Sequence, residues 1–282
     1  MILINKRIQL LDLLNIRRSK GKTIGFVPTM GALHPGHIAL VNKAKSENDL
    51  VVASIFVNPT QFNNQQDLVH YPRTIEKDSE MLAQAECDFL FFPAIDEMYP
   101  DGIKEAIPPI ELGGLDTVME GAHRPGHFAG VMQVVKKLFD SVGPCNAYFG
   151  EKDFQQLAVI RKMVKAWKMP VEIVPCPIIR EADGLAMSSR NSRLTEEERK
   201  IAPVISKALF KAGEFFRDHS IGETKELVTA IINSEPEMKL EYFEIADSAT
   251  LQPALTGQKK NVVACIAVHL GAVRLIDNIV LG

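Results

Sequence analysis

The stretch at residues 23–41, TIGFVPTMGALHPGHIALV, limits the fold more than any other part of the chain. An apolar run at residues 24–27 meets a turn containing Pro28 and Gly31, and His34-Pro35-Gly36-His37 then leads into an amphipathic segment. That order predicts a strand, a tight turn and a helix whose first turn carries two imidazoles. Proline suits the first helical position, where its missing N–H would be unpaired in any case, and residues three apart share a helix face. Both histidines are therefore expected to point at whatever occupies the helix N-terminus. Free backbone N–H groups and the positive end of the helix dipole favour an anion there, so the stretch reads as a cradle for nucleotide phosphate.

The rest of the chain repeats the same rhythm before changing style. Residues 2–18 carry Ile8, Leu11 and Leu14 at helical spacing and read as an amphipathic helix. Residues 50–57 (LVVASIFV) form a continuous apolar run, as expected of a parallel strand covered on both faces. A helix at 73–86, a strand at 88–92, a long loop at 93–109, a helix at 128–142, a strand at 147–149, a helix at 154–167 and a strand at 171–174 follow. Such alternation predicts an α/β fold with a parallel, Rossmann-like sheet. Beyond residue 180 the pattern is two helices and then three strands at 240–246, 262–269 and 273–281. Thr195 with Glu198 forms a capping box at the start of the first helix, and Pro203 is expected to break it. This predicts a second, smaller α+β domain. Pro175 and Pro177 interrupt the last strand of the first part, placing the domains at 1–178 and 179–282.

A length of 282 residues with 46% hydrophobic composition is enough for one large core or two domains. The net charge of −3 leaves no basic excess for a polyanion backbone, which excludes nucleic acid as an expected partner. Asn5, Lys6, Arg7 and Asp12 interrupt the apolar N-terminus, so neither a secretion signal nor a membrane span is expected. Cys87, Cys145, Cys176 and Cys265 form no Cys-x-x-Cys pair and read as small hydrophobes in a reducing, cytoplasmic setting.

In an open α/β sheet, ligands bind beyond the carboxyl ends of the strands. The polar clusters fall there: Thr29 and Met30 with His34 and His37 after one strand, Asn58 and Gln61 after the next, and Gly150-Glu151-Lys152-Asp153 with Gln156 after a later one. Met187-Ser188-Ser189-Arg190 lies beside the domain boundary. Together they supply two imidazoles, a lysine, an arginine, hydroxyls and amides, enough to neutralise a triphosphate and bind a small polar substrate. Each also has a plain structural reading. A histidine at a helix start is often a cap, Lys152 and Asp153 a helix-start charge pair, Ser188-Ser189-Arg190 a turn, and the glutamines loop amides. His123 and His127, four apart, raise a zinc site, but Pro125 and Gly126 between them break helical spacing.

The block PTMGALHPGH at residues 28–37 resembles the nucleotide-binding signature of the pantothenate synthetase (pantoate–beta-alanine ligase) family, within the wider His-x-Gly-His nucleotidylyltransferases. FVNPTQF (56–62), YPRT (71–74), YPDG (99–102), EGAHRPGHFAGV (120–131), FGEKDFQQL (149–157) and READGLAMSSRNSRL (180–194) extend the resemblance in the family's order. It implies ATP-dependent condensation of pantoate with β-alanine through a pantoyl-adenylate, yielding pantothenate, AMP and pyrophosphate. It also implies an ATP site of Met30, Gly31, Ala32, Leu33, His34, Pro35, Gly36 and His37. Gly150, Glu151, Lys152 and Asp153 would contact the same nucleotide, with Lys152 on phosphate and Asp153 on ribose. Ile179 would lie near adenine, and Met187, Ser188, Ser189 and Arg190 would close over the phosphates from the smaller domain. His37, His34, Lys152 and Arg190 would be catalytic, and Gln61 and Gln156 would bind pantoate. Magnesium is implied with ATP, with Asp78 as its candidate ligand, and the family implies a homodimer. Gln133 stands where a threonine is expected, and the loop at 63–66 is amide-rich; neither departure touches an assigned role. A nucleotidylyltransferase using another small acceptor, and a non-catalytic nucleotide-binding module, are the competing readings.

Overall fold

Six parallel strands form the larger sheet: β1 (Ile2–Ile4), β2 (Ile24–Thr29), β3 (Leu50–Ile55), β4 (Phe89–Phe91), β5 (Cys145–Gly150) and β6 (Val171–Cys176), in the order β1-β4-β3-β2-β5-β6. The computed structural model describes residues 1–63, 65–103 and 107–281. The chain steps outward from β2 to β3 and β4, then returns to add β5 and β6 on the other side. Strand order thus reverses between β2 and β5, and the crevice of a doubly wound sheet lies at the carboxyl ends of such a pair. Buried Phe26, Val27, Val52, Ala53 and Leu90 explain the unbroken apolar runs, because these strands are covered on both faces.

The first strand corrects the expected helix at residues 2–18. Ile2–Ile4 pairs in parallel with Phe89–Phe91 at the sheet edge, and the helix begins only at Arg7. Ile4 is buried while Ile2 and Leu3 are half exposed, as an edge strand allows. A second correction concerns Pro175, which lies within β6, opposite Phe149, instead of ending it. Since β6 is an edge strand, the missing proline N–H breaks no ladder bond on a further neighbour. The expected loop at 93–109 carries a helical turn, Ile95–Met98, with Met98 buried. Residues 104–106 of that loop, and Asn64 of the amide-rich loop, lie outside the described residues.

The chain divides into two compact units, one of Met1–Leu112, Arg124–Glu151 and Gln156–Pro177, the other of Gly113–His123, Lys152–Gln155 and Ile178–Gly282. The second is built on an antiparallel sheet of β7 (Met238–Asp247), β8 (Val262–Leu270) and β9 (Val273–Val280). Residues alternate between the faces of a strand. One face, with Ala264, Ile266, Val268, Val273 and Leu275, packs on the helices Val204–Phe215 and Ile221–Asn233. Capping boxes at Thr195 and Ser220 start the helices Glu196–Ile201 and Ile221–Asn233.

The other face carries the short segments taken from elsewhere in the chain. Arg274 makes a bidentate pair with Glu120 at 2.9 and 2.6 Å, and the Tyr242 hydroxyl donates to Glu120 at 2.8 Å. Burial beside Glu120 pushes the Tyr242 hydroxyl pKa well above its ordinary value. Gln155 accepts from the Glu120 N–H and donates to the carbonyls of Leu115 and Val118. These bonds explain why residues 113–123 and 152–155 pack with the smaller unit, a discontinuity that one boundary at residue 178 does not contain. Burial opposes ionisation of Glu241, but hydrogen bonds from Arg274 and His269 outweigh it and hold its carboxyl below the usual range.

Candidate active site

In the larger unit, the turn after β2 is shaped by backbone and one carboxylate. Gly31 and Ala32 both have positive φ, and the Ala32 and Leu33 N–H groups donate to the two oxygens of Asp78, each at 2.8 Å. Thr74 adds a third hydrogen bond to Asp78 at 3.0 Å. Asp78, only 1% exposed, is thus the anion on which the turn is folded. The candidate magnesium ligand of the sequence reading therefore has both carboxylate oxygens engaged by N–H groups of the turn. No group of three or more His, Cys, Asp or Glu side chains among the described residues converges on a metal position, and His127 Nδ1 bonds instead to the Gln61 carbonyl at 2.8 Å.

The helix Pro35–Glu47 starts with a reciprocal cap made by the histidines themselves. His34 Nδ1 accepts from the Gly36 N–H at 3.2 Å, and His37 Nδ1 accepts from the His34 N–H at 3.4 Å. The rings lie 4.0 Å apart. One expectation changes. The N–H groups of the first turn are not left for a phosphate, because Gly36 bonds His34 Nδ1 and both His37 and Ile38 bond the His34 carbonyl. With Nδ1 an acceptor, the proton of each neutral ring belongs on Nε2.

Gln61 belongs to the same unit, at the end of the turn Pro59–Gln61. Its side chain is buried, donating to Met30 Sδ at 2.8 Å and accepting from Asn58 Nδ2 at 3.3 Å. Asn58 is in turn oriented by the Tyr99 hydroxyl at 2.7 Å. His127 and Arg124 both donate to the Gln61 carbonyl. Gly130 lets the helix His127–Val142 approach this turn, since a Cβ there would stand 2.3 Å from the Thr60 carbonyl oxygen. The structure therefore brings Met30 and Gln61 together and gives the 120–131 block supporting roles. Gly150 ends β5 and Glu151 follows it, and Gln156 sits half-buried in the first turn of the helix Phe154–Ala166. Gln133, the departure from pattern, is buried and donates to the Ile103 carbonyl.

In the smaller unit, residues 179–187 form a tight hairpin. Arg180 bridges Ala186, and the Met187 N–H donates to the Ile179 carbonyl at 3.0 Å, setting Ile179 beside Met187. The Ser188 hydroxyl caps the 3-10 helix Ser189–Arg193 by accepting from the Arg190 N–H. Lys152 lies in the turn Glu151–Asp153, its ammonium 3.9 Å from the Asp153 carboxylate and its side chain 17% exposed.

The pantoate-beta-alanine ligase family profile matches residues 3–280. The chain belongs to this family. It is 52% identical to the pantothenate synthetase of Bacteroides fragilis strain YCH46 over 267 residues, covering 94% of each chain. Among solved structures, pantothenate synthetase from Thermus thermophilus superposes with a TM-score of 0.92 at 42% identity, covering 100% of this chain and 99% of that one. The pantoate-beta-alanine ligase of Francisella tularensis, complexed with beta-gamma ATP and beta-alanine, gives 0.79 at 40% identity, covering 99% and 97%. The activity follows with the family: a ligase that forms a carbon–nitrogen bond between pantoate and β-alanine.

Burial pushes the thiols of Cys87 and Cys176 up to about 11 and those of Cys145 and Cys265 up to about 12. These free cysteines are core residues and contribute no nucleophile. The sequence reading missed Asp78 as the turn's clamp, Gln155 as the anchor of residues 113–123 and Asp277 with Asn278 on β9. None of these left a local pattern in the sequence.

Proposed function

We propose that the chain activates pantoate with ATP and then transfers the pantoyl group to β-alanine, using the residues singled out above. His34 and His37 donate through Nε2 to phosphate oxygens; Lys152, Ser188, Ser189 and Arg190 add charge and hydroxyls. Met30, Gly31, Ala32, Leu33, Pro35, Gly36, Gly150, Glu151, Ile179 and Met187 shape the nucleotide's surroundings, and Asp153 takes the ribose. Gln61 and Gln156 bind pantoate. The observation that carries this reading is the contact between Gln61 and Met30 at 2.8 Å, which couples an acceptor-binding amide to the nucleotide turn.

In the first step a pantoate carboxylate oxygen attacks the α-phosphorus while its bond to pyrophosphate breaks. The carboxylate is already a nucleophile, so this chemistry rests on positioning and on donors aimed at oxygens that gain charge. In the second step the β-alanine nitrogen attacks the acyl carbon, the bond to AMP breaks and an amine proton is lost. The engagement of Asp78 by the backbone is consistent with magnesium arriving with ATP: that ion keeps several waters and is commonly held through substrate phosphates. A cytoplasmic homodimer completes the reading; reduced cysteines fit that compartment. No helix among the described residues is long and apolar enough to cross a membrane.

Exchange of labelled pyrophosphate into ATP tests the order of steps. Exchange that requires pantoate and proceeds without any amine is the expected result. Exchange that ignores pantoate, or requires β-alanine, contradicts it.

A further inference from the structure

Two adjacent residues of β9 tie together the two nucleotide segments of the smaller unit. Asp277 and Asn278 are each 4% exposed and, as neighbours on a strand, face opposite sides of the sheet. On one side, the Asp277 carboxylate accepts from the Arg180 guanidinium at 2.7 and 3.0 Å. The same guanidinium donates to the Gly184 carbonyl at 3.1 Å and lies 5.0 Å above the Phe210 ring. It thereby spans the hairpin that carries Met187–Arg190. Gly184 has φ +94 and sits so near Ser206 that a Cβ would come within 3.2 Å of its hydroxyl, so the hairpin tip is seated on the helix Val204–Phe215. Asn191 Nδ2 adds a bond to the Ala186 carbonyl, fixing the 3-10 helix to the hairpin base. On the other side, Asn278 Nδ2 donates to the Lys152 carbonyl at 2.8 Å. Asp277 also accepts from the Asn278 N–H at 2.8 Å, which locks the pair to each other.

We infer that Asp277 and Asn278 are positioning residues for the ligation reaction, with Asn278 setting the backbone from which the Lys152 ammonium extends and Asp277, through Arg180, setting the hairpin that presents Ser188 and Arg190. Neither touches substrate. Both act by holding phosphate-directed groups in register, where a displacement of an ångström is enough to slow chemistry strongly.

The inference rests on the phosphate roles proposed for Lys152 and Arg190, and a double-mutant cycle separates the two. Pantoate-dependent pyrophosphate exchange is measured for Asn278→Ala, Lys152→Ala and the pair, with unfolding midpoints recorded alongside. Asn278→Ala is expected to lower kcat for exchange about tenfold with little change in KM for pantoate. In the Lys152→Ala background the same change is expected to have almost no further effect, because its target is gone. Asn278→Asp keeps the size but places an acceptor against the Lys152 carbonyl, and is expected to match Asn278→Ala. The Asp277 arm follows the same scheme with Asp277→Asn and Arg190→Ala. If Asp277→Asn does not fold, the Asn278 arm decides alone. Equal loss from Asn278→Ala with and without Lys152 overturns the inference, as does wild-type exchange by folded Asn278→Ala. If Lys152→Ala itself exchanges at the wild-type rate, the phosphate role fails instead, and with it the basis of the inference.

Discussion

The His34–His37 turn and the 179–190 hairpin, which carry the residues proposed for phosphate, are held in different ways. The turn is held mostly by itself: its histidines cap one helix reciprocally, and a single carboxylate from the following helical layer, Asp78, fixes two N–H groups. The hairpin carries backbone bonds of its own, and its Arg180 is tied by an ion pair to a strand 97 residues further along. The turn combines a local histidine cap with a carboxylate 46 residues further along. A hairpin anchored at a distance keeps its shape only when the whole antiparallel sheet is in register.

That contrast is open to attack by substitution. Asp277→Ala should have the largest effect on stability, about 3–5 kcal/mol, because it leaves the Arg180 charge largely buried without its main partner. Urea unfolding followed by circular dichroism measures it; a loss under about 1 kcal/mol would mean that the hairpin does not depend on its distant anchor. Asp78→Ala should cost about 3 kcal/mol by stranding the Ala32 and Leu33 donors, with Asp78→Asn recovering part of it. Unchanged metal dependence of the folded Asp78→Asn protein would agree with a clamp and not a ligand. Gly130→Ala should cost about 2 kcal/mol through the clash with the Thr60 carbonyl, and should raise KM for pantoate by displacing Gln61. A wild-type KM would show that the helix His127–Val142 does not set the Gln61 position.

The smallest effect belongs to the opposite end of the sheet. Hydrogen bonds from Lys22 and then from Thr23 hold the Asp49 carboxyl down to about 2. A depressed carboxylate stabilises the fold above its unfolded value near 3.8, and that contribution is lost as the pH falls through the folded value. Asp49→Asn should therefore flatten slightly the loss of stability between about pH 4 and pH 2 while leaving exchange at neutral pH unchanged. An identical acid slope in the variant would show that Asp49 contributes nothing to it.

What the sequence made legible follows the same division. The alternation of apolar runs with amphipathic segments reported the parallel sheet, because strands covered on both faces and helices covered on one leave different periods. The capping box at Thr195 and the proline at residue 35 reported helix starts for local reasons. Ile2–Ile4 was lost in the neighbouring helical pattern because three residues cannot display a period of two. Long-range partners left no trace. Glu120 with Arg274, Asp78 with the Gly31 turn and Asp277 with Arg180 are pairs whose members are separated by tens of residues, and a single sequence contains no signal that joins them. The plain structural reading of His34 as a cap and the functional one also turn out to be compatible: the cap uses Nδ1 and thereby assigns the ring proton to Nε2.

The central claim is that groups in the two segments stabilise charge on ATP phosphate while pantoate attacks. Its most direct measurement is single-turnover formation of the adenylate, with pantoate and ATP saturating and no amine, in His37→Ala and Lys152→Ala proteins shown to be folded. Each is expected to form the adenylate about 10²-fold more slowly than the unaltered chain, the scale for losing one preorganised charge-stabilising group. Formation at the unaltered rate in either protein would contradict the role assigned to that residue.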